Sequence, residues 1–257
     1  MPSMTERVYP DEMDSSRPIQ RVIREVFLRR YNLARDWLRE HFGPRRIRIL
    51  DIACGSGFGS AILAELGDVV GVDLDEESVL YAREHYESEN TEFRLGNAND
   101  PELLRSLGRF DAVVSSGTIE HLDDPAAFLR WMGGAVEPGG ACVLCFPSTL
   151  TMDWAVPYHK RDISPRQAQA LFSACGLREC RNLTEGHRLR IRDLRAEVRA
   201  NRGLPVPPLR QWVLYFLAHP WHLARRLGQI TVRGGILFQD QEYLLVPSEQ
   251  ARADPLQ

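Results

Sequence analysis

The chain has 257 residues, 44% hydrophobic and 26% charged, which is the balance of a folded globular protein with length for one large core. Its net charge of −3 argues against nucleic acid or an acidic membrane as partner, and five scattered cysteines, an odd number in a chain too long to need disulfide staples, fit a reducing cytoplasm. The polar, acidic N-terminus has no apolar segment of the secretory kind, and the longest apolar stretch, Trp212 to Ala218, is far short of the ~20 residues that span a bilayer.

In chain order, apolar residues at Ile19, Val22, Ile23, Val26, Phe27, Tyr31, Ala34, Leu38 and Phe42 repeat with the helical period and predict an amphipathic helix that Gly43-Pro44 ends. From Ile47 onward, short β-rich runs (47–52, 68–73, 91–95, 110–116 and 141–147) alternate with helical patterns such as Glu76 to Tyr86 and Pro125 to Gly134. This order predicts a parallel sheet with right-handed crossovers and helices on both faces, with its ligand crevice at the carboxyl ends of the strands. Cys142 and Cys145 form a C-x-x-C inside the apolar run Ala141 to Phe146, and read as buried structural thiols. Beyond Pro147 a helix over Ser164 to Ala174 and strands over Leu177 to Leu183 and Glu242 to Val246 are predicted. Between these strands, Gly186 to Arg233 holds ten arginines against Asp193 and Glu197, with a breaker run at Pro205, Pro207 and Pro208, and predicts two or three inserted helices. Only Lys160 among the 32 basic residues is a lysine, so arginine abundance is partly a chain-wide bias.

The first predicted strand runs into Asp51-Ile-Ala-Cys-Gly55-Ser-Gly57-Phe-Gly59-Ser60, where glycines let the backbone turn sharply and approach a ligand. A G-x-G alone would equally suit a dinucleotide site. Asp51, four residues before the first glycine, would repel a pyrophosphate and attract an ammonium, which suits a cofactor bearing an amino acid. The second strand ends at Asp73, placed as a bidentate acceptor for a diol, while Asp75 suits a helix N-cap.

These motifs together resemble the class I S-adenosylmethionine-dependent methyltransferases. The stretch ILDIACGSGFGS is similar to the family's first motif, with Ala53 in place of its first glycine. The resemblance covers about residues 30–183 and the last strand. It implies a Rossmann-like seven-stranded sheet, mostly parallel, with a helical insert before the last strand. The implied divisions are an N-terminal helical segment over the cofactor site (1–45), a cofactor-binding core (46–185), a helical lid or insert (186–235), and the last strand with the tail (236–257).

The resemblance also implies S-adenosyl-L-methionine as cofactor, held by Asp51, Ala53, Gly55, Gly57, Asp73, Leu74, Asn97, Ala98 and Ser115. Asn97 stands where the family carries an acid facing the adenine amino group; its amide can accept the same bond, or it can simply form a turn. Arg30 and Tyr31 are candidates for the methionine carboxylate, although Tyr31 also lies on the core stripe. The stretch GTIEHLDDP is similar to the small-molecule branch and unlike the D/N-P-P-Y/F of nucleobase enzymes. The expected reaction is methyl transfer to a hydroxyl of a small molecule, a secondary metabolite or a sugar, in the cytoplasm. N- or C-methylation, action on a quinone or lipid at a membrane surface, and a non-catalytic binding subunit are the alternatives. Candidate bases are His121 and His159, with Glu120, Asp153 or no base as rivals. No metal is expected, because Asp123-Asp124 precede Pro125 as a helix start. Trp212, Val213, Phe216 and Leu217 form one apolar face of the insert, which serves either as a lid or as an interface for a homodimer or a membrane surface.

Overall fold

The computed structural model describes residues 9–148, 160–161, 163–190, 209–218, 220–233 and 235–248. The described strands are β1 (Ile47–Ile52), β2 (Gly67–Asp73), β3 (Thr91–Leu95), β4 (Phe110–Ser116), β5 (Val136–Pro147), β6 (Leu177–Arg190) and β7 (Gly235–Pro247). They form one seven-stranded sheet in the order β3-β2-β1-β4-β5-β7-β6. β1 to β5 run parallel, and β7 is antiparallel to both β5 and β6. The expected fold is therefore the observed one. Between β1 and β4 the direction of the crossovers reverses, which opens a crevice at the carboxyl ends of these strands.

The described helices are α1 (Pro18–Phe42), α2 (Phe58–Leu63), α3 (Glu76–Tyr86), α4 (Pro101–Ser106), α5 (Pro125–Ala135), α6 (Pro165–Ala174), α7 (Leu209–Ala218) and α8 (Pro220–Arg233). Their starts follow capping chemistry legible in the sequence. Asp75 accepts the Ser78 amide at 3.0 Å and opens α3, Asp124 accepts from Ala127 and opens α5, and Ser164 with Gln167 forms a capping box for α6. The central strands are apolar on both faces because helices cover both. On one face, Tyr31, Ala34, Trp37 and Leu38 of α1 pack on Ile49, Val114, Val143 and Leu244. On the other, Phe128, Leu129 and Met132 of α5 and Phe172 of α6 pack on Leu50, Ile52, Val113 and Tyr243.

The last two strands are longer than their hydrophobic pattern indicates. Residues 186–190 and 235–239, read from sequence as insert or flank, pair with each other from Gly186↔Gln239 to Arg190↔Gly235. β5 reaches β7 only as far as Pro147↔Asp240, so the rest of β6–β7 is a two-stranded ribbon running past the carboxyl edge of the sheet. Without a sheet face to bury, its residues need no apolar alternation, and the sequence carries none there.

Candidate functional site

The loop after β1 is the centre of the crevice. Ala53 adopts φ +63°, the left-handed region that costs a residue with a Cβ ~1–2 kcal/mol. It is held there because the Ala53 and Cys54 amides both donate to the Val72 carbonyl, at 2.7 and 3.0 Å. The position therefore calls for the glycine that the resemblance implies, and alanine occupies it under strain. Gly57, at φ +86°, has no alternative residue: a Cβ there would sit 2.6 Å from that of Ala82 and 2.9 Å from the Phe93 ring. Gly55 is different, since a Cβ built on it meets nothing within 4 Å, and its outer side is open.

Asp73, 1% exposed at the end of β2, accepts the Gly55 amide on Oδ2 at 2.8 Å and the Asp75 amide on Oδ1 at 3.0 Å. One carboxylate thus ties the glycine loop to the start of the β2–α3 turn. Leu74 beside it is exposed and Ala98 is nearly buried. Asn97 is exposed, and its Oδ1 accepts the Asn99 amide at 2.9 Å, so the turn-forming role is present. Ser115, buried at the end of β4, has an Oγ without a hydrogen-bond partner among the described residues, as does Ser116.

Two of the expected ligand residues are used inside the fold. Asp51 is fully buried, accepting from Ser60 Oγ at 2.7 Å and Tyr31 Oη at 3.2 Å. Burial pushes its carboxyl up to about 7, against the pull of those two hydrogen bonds. The Tyr31 ring lies over Gly59, where a Cβ would come within 2.1 Å of it, and stacks edge-on to Phe58 at 5.3 Å. Burial and the neighbouring Asp51 raise the Tyr31 phenol well above its ordinary range. Arg30 is held by Asp240: its Nη2 and Nε donate to that carboxylate at 2.7 and 3.3 Å, with the guanidinium 4.5 Å over the Phe27 ring. Arg30 and Tyr31 therefore clamp α1 to the sheet.

This clamp belongs to a buried polar row that sequence reasoning missed. The cross-strand register places Ser116, Cys145 and Glu242 side by side on the α1 face. Arg29 lies above, pairing with Glu242 at 2.7 Å and Glu185 at 2.8 Å. Burial, opposed by Arg29, pushes the Glu242 carboxyl up to about 7. The only signal in the sequence is the polar run Gln239 to Glu242 entering an apolar strand, which reads as a flank. Cys142 and Cys145 are buried free thiols, as expected, and burial pushes Cys142 up to about 12.

On the acceptor side, β4 leads into the short 3₁₀ turn Ile119–His121. Glu120 is buried, and His121, about one third exposed, places Nε2 4.0 Å from Glu120 Oε1. The Lys160 amide donates to the Glu120 carbonyl at 2.9 Å, Lys160 Nζ pairs with Asp123, and Arg161 donates to the Leu122 and Asp123 carbonyls. The candidates His159 and Asp153 lie outside the described residues.

Residues 50–144, the segment that builds this crevice, match the family described as methyltransferase domain. A ubiquinone biosynthesis O-methyltransferase of Azorhizobium caulinodans is 36% identical over 126 residues, which is 45% of this chain and 49% of that protein. The chain thus matches about half the length of that relative, and less of several other ubiquinone biosynthesis O-methyltransferases. A Mycobacterium tuberculosis protein named "Probable S-adenosylmethionine-dependent methyltransferase" is 28% identical, covering 67% of this chain and 70% of its own. Among solved structures, the magnesium protoporphyrin IX methyltransferase of Synechocystis with bound S-adenosylhomocysteine superposes with a TM-score of 0.59 at 14% identity, over 90% of this chain and 87% of that one. The glycine loop tied to Asp73, the crevice at the β1–β4 reversal and the family match fall on the same residues: residues 50–144 match a methyltransferase domain, and the fold is that of S-adenosylmethionine-dependent methyltransferases.

Proposed function

We propose that the chain is an enzyme that binds S-adenosylmethionine at the carboxyl ends of β1 to β3 and methylates a hydroxyl of a small molecule. The observation that carries this reading is the open-sided Gly55 loop anchored to the Asp73 carboxylate. The residues present fit the cofactor. Asp73 is a fixed acceptor for a ribose diol, Leu74 offers an apolar surface beside it for the adenine ring, and the Asn97 amide nitrogen can donate to a ring nitrogen. Ser115 Oγ supplies a further polar group at the end of β4.

When bound, the cofactor supplies a methyl on a sulfonium whose positive charge vanishes as the methyl leaves, so alignment in a dry site supplies much of the rate. The chain's own residues must then orient the acceptor and take its proton. His121 is the group we assign to this, at the crevice edge after β4, with the buried Glu120 carboxylate beside it as a partner for the imidazolium that forms. The relatives named as ubiquinone biosynthesis O-methyltransferases support oxygen as the atom methylated, and point toward primary rather than secondary metabolism.

The test is incubation with methyl-labelled cofactor and a panel of phenols, sugars and metabolite extracts, followed by mass spectrometry. Label on oxygen supports the reading. Label on nitrogen or carbon corrects the acceptor, and no transfer to any acceptor contradicts the enzymatic reading.

A further inference from the structure

We infer that the α7–α8 hairpin is a docking element for an anionic lipid bilayer. It sits at the end of the β6–β7 ribbon, which runs past the carboxyl edge of the sheet where the crevice opens. Val213, Leu214 and Leu217 on α7, and Trp221, Leu223 and Leu227 on α8, are exposed, Leu217 and Trp221 to 73%. The i+3 and i+4 spacing groups Val213, Leu214 and Leu217 on α7 and Leu223 with Leu227 on α8, while Trp221 stands at the start of α8. The remaining exposed large apolar residues among the described ones, Leu74, Leu80 and Leu95, lie elsewhere on the core. The clustering is therefore a property of the hairpin and not of the surface at large.

Charge selects the occupant. No Asp or Glu occurs in the sequence of the hairpin, residues 209–233, which holds four arginines (210, 225, 226 and 233), a charge of +4. The rest of the chain then carries −7 against the overall −3. A symmetric contact with a second copy through this hairpin would bring two acid-free, arginine-bearing surfaces together. An anionic bilayer instead offers acyl chains to the Leu and Trp side chains and headgroup charge to the arginines. At 10 and 14 residues, the helices are ~15 and ~21 Å long, too short to cross ~30 Å of hydrocarbon, and lie in the interface. No helix among the described residues is long and apolar enough to span a membrane. The sequence expectation that a membrane partner is unlikely rested on the overall charge, which conceals this segregation. Where the methyl-transfer reading holds, such docking turns the crevice toward acceptors dissolved in the bilayer.

The full chain is sedimented with vesicles of phosphatidylcholine alone and of phosphatidylcholine with phosphatidylglycerol, at low and high salt. Binding should require phosphatidylglycerol and weaken at high salt, where charges are screened within ~3 Å at 1 M. Leu217→Glu and Trp221→Glu should each weaken it by at least about tenfold, since each removes one buried apolar side chain from the lipid. Both residues are exposed, so affinity for S-adenosylhomocysteine, measured on the same variants, should not change. Failure to sediment, or variants that sediment like the native chain, would overturn the inference. So would a dimer that Leu217→Glu dissociates with no vesicle binding by the native chain. Loss of cofactor affinity in the native chain with intact vesicle binding would refute the methyl-transfer reading alone.

Discussion

Removing Arg30 should destabilise the chain far more than removing Arg30 and Asp240 together. Both side chains are over 90% buried, and two hydrogen bonds of 2.7 and 3.3 Å join them. Burial by itself lowers the Arg30 pKa, but Asp240, Cys145 and Glu120 together outweigh it, so the guanidinium is held charged. In Arg30→Met the Asp240 carboxylate loses its partner in a place water does not reach, at a cost of about 3–5 kcal/mol. At 2–4 °C per kcal/mol for a chain of this size, Tm should fall by roughly 6–20 °C. Asp240→Leu strands the guanidinium and should cost a similar amount. The double variant leaves no buried charge in this pair, and should lie within about 1–2 kcal/mol of the native chain if the apolar replacements pack. Thermal unfolding followed by circular dichroism, read as a double-mutant cycle, measures the coupling. Single losses that add to within ~0.5 kcal/mol in the double variant would refute the argument, since independent sites behave that way.

Three further outcomes follow from the same geometry. Asp51 is raised to about 7 from 3.8, so between about pH 4 and 7 the unfolded chain releases a proton that the folded chain keeps, and this group's contribution to stability falls as pH rises through that window. The Tm of Asp51→Asn relative to the native chain should therefore improve from about pH 4 to about pH 7 and level off above; a gap that closes in the opposite sense would contradict the assignment. His121→Ala, assayed at saturating cofactor, should lower kcat by ~10²–10⁴ with little change in cofactor affinity, and a near-normal kcat would remove His121 as the base. Ala53→Gly releases ~1–2 kcal/mol of left-handed strain and gives back ~0.5–1 in added freedom of the unfolded chain, so Tm should rise by a few degrees at most; a fall would show that the Ala53 methyl makes a contact worth more than the strain.

The parts legible in the sequence are those whose signal is local. The Gly55–Gly57 loop, Asp73 at the end of β2 and the caps at Asp75 and Asp124 each sit within a few residues of what they bond, or one strand away. Arg30 and Asp240 are 210 residues apart, and polar residues in an alternating strand ordinarily face water. Nothing near Asp240 or Glu242 in the sequence announces that α1 will bring Arg29 and Arg30 over them. Tyr31 was legible as a core residue and as a polar one, and both descriptions hold, because its ring packs on Gly59 while its hydroxyl donates to Asp51. The β6–β7 ribbon was not legible, since a two-stranded arm buries too little to impose an apolar pattern.

The central claim, that the crevice holds S-adenosylmethionine through Asp73, is tested most directly by titration calorimetry with S-adenosylhomocysteine on the native chain and on Asp73→Ala. A charge-assisted bidentate pair contributes about 1.5–3 kcal/mol, so the native chain should bind and the variant should bind at least about tenfold more weakly. Thermal unfolding of the same samples separates this loss from loosening of the Gly55 and Asp75 amides that Asp73 also holds. Equal affinity in a folded Asp73→Ala, or a native chain that binds a nicotinamide dinucleotide in preference, would contradict the account.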